Sequence, residues 1–347
     1  MTEGTVGIAV LGAGFIAGYH LAGLAAAGGS SVRVLAGRSL ERAVPLAARF
    51  DVADVVTDWR TALERDDVDA VVICTPDDTH ELIAIAAAVA GKAILLQKPM
   101  AASVAACRRI IAAAASAGVD LQVSFMHRWF PEVDQARAWL SDGMIGRVHS
   151  VRIRNATPGP DWGDWFFAGS RAAGGVVDQL GVHGIDLALQ LVGDIREVSA
   201  RVATVLPERT LRDGRVVAVE TADTALASYG FTAGALGTHE MSQVEVAGCD
   251  RFRLELYGEA GTIWLRSELG PAAVYAPQHY GKEWHAPALP QYGFGQRHHA
   301  AWLAGVRSQA ARQATAHDAL RGMQVVEAIR LSDARNGTSV RVAESAA

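Results

Sequence analysis

A glycine-rich turn between an apolar strand and a helix constrains the fold of this chain more than any other feature. The strand-forming run Val6–Leu11 is followed at once by Gly12-Ala13-Gly14-Phe15-Ile16-Ala17 and then by a helix-compatible segment. In this context Gly12 permits a tight turn, Gly14 lets the backbone approach a pyrophosphate, and Ala17 replaces a third glycine where helix meets strand. Amides at a helix N-terminus attract phosphates, so the turn predicts dinucleotide binding rather than a plain structural turn. The expected contact residues are Gly12, Gly14, Phe15, Ile16 and Ala17.

The sequence up to residue 124 alternates short strands with alanine-rich helical stretches. Continuous apolar runs such as Val71-Val72-Ile73 are typical of strands that helices cover on both faces. This alternation implies parallel βαβ units. We therefore predict an α/β chain whose residues 1–124 form a Rossmann domain with a doubly wound parallel sheet. The predicted strands are residues 6–11, 31–36, 68–74, 93–96 and 121–125.

The pattern changes after residue 124, where longer strands are separated by hairpin-like turns. Thr232-Ala233-Gly234 and Glu259-Ala260-Gly261 favour largely antiparallel pairing in one wide, open sheet. We predict that residues 125–347 form an α+β domain for substrate binding and oligomerisation. Because helices cover only part of such a sheet, its free face is the expected interface of a homodimer or homotetramer. The predicted strands are residues 197–205, 223–231, 235–244, 251–257 and 262–265.

Size and composition restrict the class of protein further. The 347 residues exceed what one hydrophobic core usually serves, which favours two domains. No apolar stretch of about 18 residues runs without polar interruption, so we expect no membrane span. The opening Met1-Thr2-Glu3-Gly4 lacks a basic segment and a cleavage site, so we expect no signal peptide and a cytoplasmic protein. The net charge of −5, without a long basic run, gives no reason to expect a nucleic-acid partner.

The cysteines and histidines give no indication of a metal site. Cys74, Cys107 and Cys249 lie far apart and form no CxxC pair, which argues against a disulfide framework or a structural zinc ion. The pairs His298-His299 and His317-Asp318 lack convergent ligand partners in the sequence. We therefore predict that the protein binds no metal.

Two further motifs follow predicted strands of the first domain. They are Cys74-Thr75-Pro76-Asp77-Asp78-Thr79-His80 and Gln97-Lys98-Pro99-Met100. Together with the glycine turn they resemble the Gfo/Idh/MocA oxidoreductases, the family of glucose–fructose oxidoreductase and inositol dehydrogenase. The resemblance continues through Met126-His127-Arg128 and the turn at residues 143–146 to a glycine-rich segment at residues 174–186. It therefore spans nearly the whole chain.

The two strand-end motifs carry the residues that this resemblance places at the cofactor. In the family a TP…H segment flanks the cofactor, which implies contacts for Thr75, Pro76 and His80. His80 could equally cap its helix. An EKP motif carries the family's catalytic lysine. Lys98 matches that lysine, whereas Gln97 departs from the glutamate, and we expect both residues beside the cofactor.

The glycine-rich segment is similar to the family's Asp-x-x-x-His motif, with His183 as the implied catalytic histidine. The position four residues earlier holds Gln179, while an aspartate, Asp178, is displaced by one. If residues 181–192 are helical, Gln179 lies about one turn from His183 and Asp178 points elsewhere. Gln179 can hydrogen-bond a substrate hydroxyl, but it cannot raise the basicity of His183 as a carboxylate would. Either Gln179 or Asp178 could replace the family's acid at the catalytic site.

The resemblance implies an NAD(P)-dependent dehydrogenase or reductase acting on a sugar, a sugar derivative or a cyclitol. A hydride would pass between the nicotinamide and a carbinol or ketone carbon. His183 would exchange the hydroxyl proton, and Lys98 would stabilise charge on the same oxygen; either could be the formal base. Arg128 is expected at the cofactor or substrate, or else in a surface ion pair. The expected substrate contacts are Lys98, Gln179, His183 and an aromatic platform of Trp162 and Trp165, for which simple packing is the equal alternative.

The end of the second predicted strand bears on the choice between NADP and NAD. An NAD enzyme of this fold usually carries an acid about 20 residues beyond the glycine turn, where it binds ribose hydroxyls and repels the extra phosphate of NADP. That position holds Gly37, which we interpret as open space, followed by Arg38 and Ser39. A guanidinium and a serine hydroxyl can together bind a phosphate. We predict a preference for NADP(H), with NAD(H) as the alternative because Arg38 could instead stack on adenine.

Two non-enzymatic functions compete with this hypothesis. A dinucleotide-binding regulatory or sensor protein of the same fold could tolerate Gln97 and Gln179, although the retained Lys98 and His183 weigh against it. A purely structural relative is disfavoured because the phosphate-binding turn is intact.

Overall fold

The computed structural model describes residues 4–169, 174–247, 251–266, 270–291, 293–308 and 312–342. The chain divides into two compact units. The first consists of Met1–Met126 and Tyr292–Leu320, and the second of His127–Gln291 and Arg321–Ala347. Cys249, one of the three cysteines considered above, lies outside the described residues.

Polar side chains cap the first turn of two helices in the first unit. The Asp58 carboxylate accepts the N–H of Arg60 at one helix start, and the Ser103 hydroxyl accepts the N–H of Ala106 at another. In chain order the α-helices of the described residues are α1 Phe15–Ala27, α2 Leu40–Arg49, α3 Trp59–Leu63, α4 His80–Val89, α5 Val104–Ala117, α6 Pro131–Ser141, α7 Val182–Leu191, α8 Pro277–Tyr280, α9 Phe294–Arg307 and α10 Ala314–Ala334. Within the described ranges, none of these helices has the length and apolar character needed to cross a membrane.

The first unit is built on a six-stranded sheet whose strands all run parallel. Its strands are β1 Val6–Leu11, β2 Ser30–Ala36, β3 Asp54–Val56, β4 Ala70–Ile73, β5 Ala93–Gln97 and β6 Leu121–Ser124. The order is β3-β2-β1-β4-β5-β6, which confirms the predicted doubly wound sheet. The sequence prediction missed β3 because three residues that begin with an exposed aspartate carry no apolar run. In sheets of this order, ligands bind at the carboxyl edge where the order reverses, here between β1 and β4.

The first unit also contains a segment from near the C-terminus, which differs from the predicted assignment of residues 125–347 to one domain. Trp302 and Leu303 of α9 are fully buried in the same apolar cluster as Ile8 and Leu24. Burying each large side chain stabilises the fold by about 1.5–3 kcal/mol. Because these contacts join distant parts of the sequence, no local pattern predicts them.

The second unit is built on a nine-stranded sheet. The remaining strands are β7 Val148–Ala156, β8 Ile195–Ala203, β9 Glu208–Thr210, β10 Val216–Ala218, β11 Thr224–Phe231, β12 Leu236–Ser242, β13 Phe252–Gly258, β14 Thr262–Arg266, β15 Ala272–Tyr275, β16 Trp284–His285 and β17 Val340–Arg341. The order is β16-β15-β14-β13-β7-β12-β11-β8-β17, and β9 pairs with β10 in a separate hairpin. Neighbours in the large sheet pair antiparallel except β7 and β12, so the predicted, mostly antiparallel sheet is confirmed.

Strand β7 lies in the middle of this sheet, yet the sequence analysis did not predict it. The signal was present as an alternation: Val151 and Ile153 are buried, and Arg152 between them is exposed. The exposed side chains of the sheet include Leu226 and Leu236. A subunit interface on this face stays a prediction.

Candidate active site

The turn after β1 has the geometry that a phosphate-binding turn requires. Gly12 adopts φ +112°, and a Cβ there would lie 2.6 Å from the carbonyl oxygen of Cys74, so only glycine fits between β1 and β4. A Cβ built on Gly14 meets no atom within 4 Å, which shows open space beside the N-terminus of α1. The remaining predicted contacts stand on the first turn of α1 and are Phe15, Ile16 and Ala17.

The end of β2 lies close against the glycine turn. A Cβ built on Gly37 would lie 2.9 Å from the Cβ of Ala13 and 3.1 Å from the Cβ of Ala43. This corrects the expectation that Gly37 leaves open space, because its neighbours already fill the position. Arg38 and Ser39 follow as exposed residues at the start of α2. In the part of the chain that the structure describes, the Arg38 guanidinium pairs with no carboxylate.

The His80 side chain lies inside the first unit. It is fully buried, with Nδ1 2.9 Å from the carbonyl oxygen of Pro99 and Nε2 2.9 Å from that of Thr75. The ring thus joins the turn after β4 to the turn after β5. The Thr79 hydroxyl stabilises the turn after β4 itself, since it lies 2.7 Å from both the Thr75 hydroxyl and the Pro76 carbonyl oxygen. These contacts give His80 a role in positioning the strand-end turns, which is neither the cofactor contact nor the helix cap expected from the sequence. A cofactor contact of His80 stays a prediction.

Gln97 and Lys98 lie at the carboxyl end of β5. The Gln97 side chain is buried, and its amide nitrogen lies 2.6 Å from Nε2 of His20 and 3.3 Å from the hydroxyl of Ser124. Its amide oxygen accepts the backbone N–H of Lys98 at 3.1 Å. These bonds use the Gln97 side chain inside the protein, whereas the prediction placed it beside the cofactor. Lys98 is half-buried and is joined to Pro99 by a cis peptide bond.

The glycine-rich segment of the second unit leads through a π-helical turn into α7. Gly175 has φ +71°, and a Cβ there would lie 2.1 Å from the carbonyl oxygen of Ala222, so this close approach requires glycine. The π-helical turn covers Val177–Gly181, and such turns are frequent at functional sites. Gln179 belongs to this turn and His183 to α7, and both side chains are buried.

The displaced aspartate has a partner elsewhere in the second unit. Asp178 is fully buried, and Nη2 of Arg330 on α10 donates a hydrogen bond to its Oδ1 at 2.5 Å. The pair encloses Gly174, where a Cβ would lie 2.4 Å from Oδ2 of Asp178 and 2.5 Å from Nη2 of Arg330. A buried carboxylate needs such a partner. The arginine therefore gives Asp178 a structural role in holding the π-helical turn.

His183 stacks on a second histidine to which the sequence analysis gave no role. The ring centroids of His183 and His127 are 4.1 Å apart, and the ring planes are inclined by 9°. Phe130 and Phe252 border the buried His127 ring at centroid distances of 4.8 and 5.3 Å. His127 belongs to the motif Met126-His127-Arg128, but its contact with His183 depends on the fold. The stack fixes the orientation of the His183 ring.

Arg128 forms a buried ion pair with Asp186, one turn after His183. Its Nε donates to Oδ2 of Asp186 at 2.8 Å, and its Nη2 donates to Oδ1. The two side chains are only 12% and 2% exposed. This corrects the alternative of a surface ion pair. A bidentate, buried pair of this kind fixes the position of α7 relative to Arg128.

The two tryptophans predicted as a substrate platform belong to one aromatic cluster. Trp165 stacks on Phe166 with centroids 3.8 Å apart, and Trp162 meets the same ring edge-on at 5.7 Å. The Arg212 guanidinium lies 5.6 Å from the centre of the Trp162 ring. Packing within this cluster thus accounts for the buried part of each half-buried tryptophan side chain. The substrate platform stays a prediction.

Two protein-family models match the chain. Residues 6–125 match the model described as "Oxidoreductase family, NAD-binding Rossmann fold", and residues 133–264 match "GFO/IDH/MocA C-terminal domain". The parallel sheet with its glycine turn and the wide antiparallel sheet are therefore the two parts of a dinucleotide-dependent oxidoreductase. The chain belongs to the Gfo/Idh/MocA family.

Several similar proteins are named dehydrogenases. The chain is 31% identical over 350 residues to inositol 2-dehydrogenase 2 of Saccharopolyspora erythraea, a match that covers 96% of this chain and 95% of that protein. It is 30% identical over 256 residues to levoglucosan dehydrogenase of Pseudarthrobacter phenanthrenivorans, covering 68% of this chain and 65% of that protein. A solved structure of levoglucosan dehydrogenase in complex with NADH and levoglucosan has a TM-score of 0.88 at 25% identity, covering 98% and 100% of the two chains.

These comparisons confirm the predicted family and the predicted class of enzyme, an NAD(P)-dependent oxidoreductase acting on CH–OH groups. Since the named relatives are enzymes, they favour catalysis over the regulatory and structural functions that the sequence also allowed.

Proposed function

We propose that the protein oxidises or reduces one carbinol carbon of a cyclitol, a sugar or a sugar derivative with NAD(P) as its cofactor. The observation that carries the proposal is the position of Lys98. This half-buried lysine directly follows β5, at the same carboxyl edge of the sheet as the glycine turn after β1. Open parallel sheets bind ligands at this edge. The names of the inositol and levoglucosan dehydrogenases support the substrate class.

The first unit offers the surfaces that a dinucleotide needs. The open space at Gly14 and the N-terminus of α1 suit a pyrophosphate, while Arg38 and Ser39 suit the adenosine ribose and its phosphate. Thr75 and Pro76 stand at the end of the neighbouring strand β4. The chemistry that a bound nicotinamide would supply here is hydride transfer to or from the carbinol carbon.

Lys98 and His183 would act on the substrate oxygen. The Lys98 ammonium would donate a hydrogen bond to it and stabilise the negative charge that develops there. His183, oriented by its stack with His127, would take the hydroxyl proton during oxidation and return it during reduction. Gln179 would hydrogen-bond a substrate hydroxyl. Because Arg330 already binds Asp178, Gln179 is the better candidate for the place of the family's acid.

Turnover across a panel of substrates tests the proposal. Pure protein is mixed with NAD⁺ or NADP⁺ and myo-inositol, scyllo-inositol, levoglucosan or D-apiose, and the corresponding ketones are tested with NADH and NADPH. We expect a change in nicotinamide absorbance with at least one member. Binding of the dinucleotide without any absorbance change across the panel, in either direction, would instead support a regulatory protein.

The preference for NADP(H) is a further part of the proposal, and it depends on Arg38. We expect Arg38→Ala to weaken NADPH binding by about 10- to 100-fold, because charge-assisted hydrogen bonds to the phosphate are lost. NADH lacks that phosphate, so its affinity should change by less than about threefold. Fluorescence titration of native and variant protein with both reduced cofactors measures these affinities.

Arg49→Ala is the matched control for Arg38, since Arg49 is an exposed arginine at the opposite end of the same helix, α2. It should leave both affinities unchanged. NADH binding to the native protein as tightly as NADPH would contradict the preference. A Gly37→Asp variant is unsuited to this question, because the new side chain would collide with Ala13 and Ala43.

Replacing Gln179 with aspartate tests its proposed place before His183. A carboxylate there stabilises the protonated imidazole, so the acid limb of the pH–rate profile for oxidation should move up by about one pH unit or more. Gln179→Asn, which is uncharged and of the same size as aspartate, should leave the limb where it is. If both variants keep the native profile, Gln179 does not act on His183.

A further inference from the structure

A chain of buried hydrogen bonds ties the end of β5 to α1 and α9 within the first unit. Nε2 of Gln97 lies 2.6 Å from Nε2 of His20 on α1, and Nδ1 of His20 lies 2.8 Å from Nε2 of His299 on α9. Nδ1 of His299 lies 2.6 Å from the carbonyl oxygen of Gly295. At the other end, Oε1 of Gln97 accepts the backbone N–H of Lys98. The side chains of all three members, Gln97, His20 and His299, are buried.

The two histidines of this hydrogen-bonded series, His20 and His299, are uncharged near neutral pH. Burial lowers the pKa of His299 to about 4. Burial and then the neighbouring His299 and His298 lower the pKa of His20 well below its usual value. The titratable groups that face the two rings are Tyr19 and His298, which lie within hydrogen-bond distance of each other at 3.0 Å. Burial raises the pKa of Tyr19, so its hydroxyl stays protonated.

The neutrality of the rings sets the direction of each hydrogen bond. The carbonyl of Gly295 can only accept, so His299 carries its hydrogen on Nδ1 and its Nε2 accepts. His20 must then donate from Nδ1, which leaves its Nε2 as the acceptor for the amide N–H of Gln97. The amide oxygen of Gln97 is consequently the atom that faces the N–H of Lys98. One arrangement of hydrogens satisfies every contact.

These hydrogen positions also explain why a glutamine stands at position 97, where the EKP motif has glutamate. An ionised carboxylate has no hydrogen to donate, so two acceptors would face each other across the 2.6 Å to Nε2 of His20. The contact would then need an extra proton on the carboxyl group or on His20, and burial opposes the charged ring. Gln97 supplies the required hydrogen at every pH and without charge.

We propose that Gln97, His20 and His299 form an uncharged positioning relay, which holds the backbone of Lys98 at the end of β5 so that its ammonium meets the substrate at a fixed place. The inference rests on the catalytic role proposed above for Lys98. The packing of α1 supports it, because a Cβ on Gly23 would lie 2.2 Å from Nδ1 of His299 and displace the ring. The three relay residues act through Lys98 and are positioning residues.

The variant Gln97→Glu converts the relay into one that depends on pH. With one proton shared by the new carboxyl group and His20, all native contacts persist; when that proton leaves at higher pH, the contact with His20 is lost. We expect kcat near the native value at low pH. Along an alkaline limb that the native enzyme lacks, kcat should fall by about five- to tenfold, a factor that corresponds to the loss of a hydrogen bond.

Gln97→Met loses both contacts, so its kcat should be lowered at every pH. The Kd for NADPH should stay native in both variants.

The matched control is His298→Asn, because His298 is a buried neighbour of His299 on the same helix whose ring nitrogen lies beside the Tyr19 hydroxyl. It should keep the native kcat and pH profile. Nitrogen-15 NMR of the histidine rings in the native protein gives a readout independent of activity. We expect both His20 and His299 to be neutral, with the hydrogen on Nδ1, between about pH 6 and pH 9. Titration of either ring in that range, or a hydrogen on Nε2 of His20, overturns the relay.

The two proposals fail in different ways. If Lys98→Met retains native turnover, the proposed function fails, while the NMR spectrum still decides the state of the relay. If Lys98→Met is inactive but Gln97→Met and Gln97→Glu both behave like the native enzyme, the relay is overturned and the function stands.

Discussion

Replacing Lys98 with methionine is expected to lower kcat by about two orders of magnitude or more, while the Kd for the reduced dinucleotide stays within about threefold of the native value. Methionine keeps most of the length and apolar character of the half-buried lysine but cannot donate a hydrogen bond. The variant loses the group that stabilises the negative charge developing on the substrate oxygen in the transition state. The effect therefore appears in kcat and not in the affinity for the cofactor. Steady-state kinetics and a fluorescence titration measure the two quantities.

Lys92→Met is the matched control, because Lys92 lies at the opposite, amino end of β5. Its ammonium donates hydrogen bonds to the carbonyl oxygens of Arg65 and Val68 at 3.0 and 2.8 Å. This variant should keep native turnover, with any cost confined to stability. Equal losses in the two variants would point to a general effect of removing a lysine from the sheet. Near-native turnover in Lys98→Met would remove Lys98 from the chemistry.

Replacing His183 with alanine is the second change with a large expected effect, a fall in kcat of about two orders of magnitude or more. The variant removes the group that takes the hydroxyl proton and leaves a space beside the ring of His127. Added imidazole should therefore restore part of the lost turnover, because a free ring can occupy that space and accept the proton. The measurement is kcat as a function of imidazole concentration.

His127→Phe separates the two stacked histidines. Phenylalanine preserves a flat ring against His183 but has no nitrogen, so it tests whether His127 only orients its neighbour. We expect kcat within about threefold of native, since no general acid or base is removed. A loss as large as that of His183→Ala would transfer the proton-accepting role to His127.

Local patterns explain the parts of the fold and site that the sequence predicted. The turn after β1 combines an apolar run, glycines at fixed spacing and a helix, all within residues 6–27, so a local pattern predicts it even though Gly12 also fits against the Cys74 carbonyl. The strand-end position of Lys98 follows from the apolar run just before it. The positive φ of Gly175 is a local reason for glycine before His183, whereas its close approach to the Ala222 carbonyl depends on the fold.

Long-range contacts explain what the sequence could not predict. His20 and His299 are 279 residues apart, so nothing in the sequence indicated that their rings form a hydrogen bond. From the sequence, the pair His298-His299 could be considered only as a metal site, for which it lacked partner ligands. Asp178 and Arg330 are 152 residues apart, and the aspartate therefore looked like a displaced catalytic acid. The return of α9 to the first unit depends on burial of Trp302, which no local periodicity specifies.

Transfer of deuterium distinguishes hydride transfer by this protein from binding of the dinucleotide alone. The protein is incubated with NADP⁺ or NAD⁺ and a cyclitol or sugar, chosen from the substrate panel, that carries deuterium on its carbinol carbons, and the dinucleotide is then analysed by mass spectrometry. We expect the native protein to form a reduced dinucleotide that carries the deuterium, and Lys98→Met to form much less of it. If protein that demonstrably binds the dinucleotide leaves it unreduced with every labelled compound, the protein is not the proposed dehydrogenase.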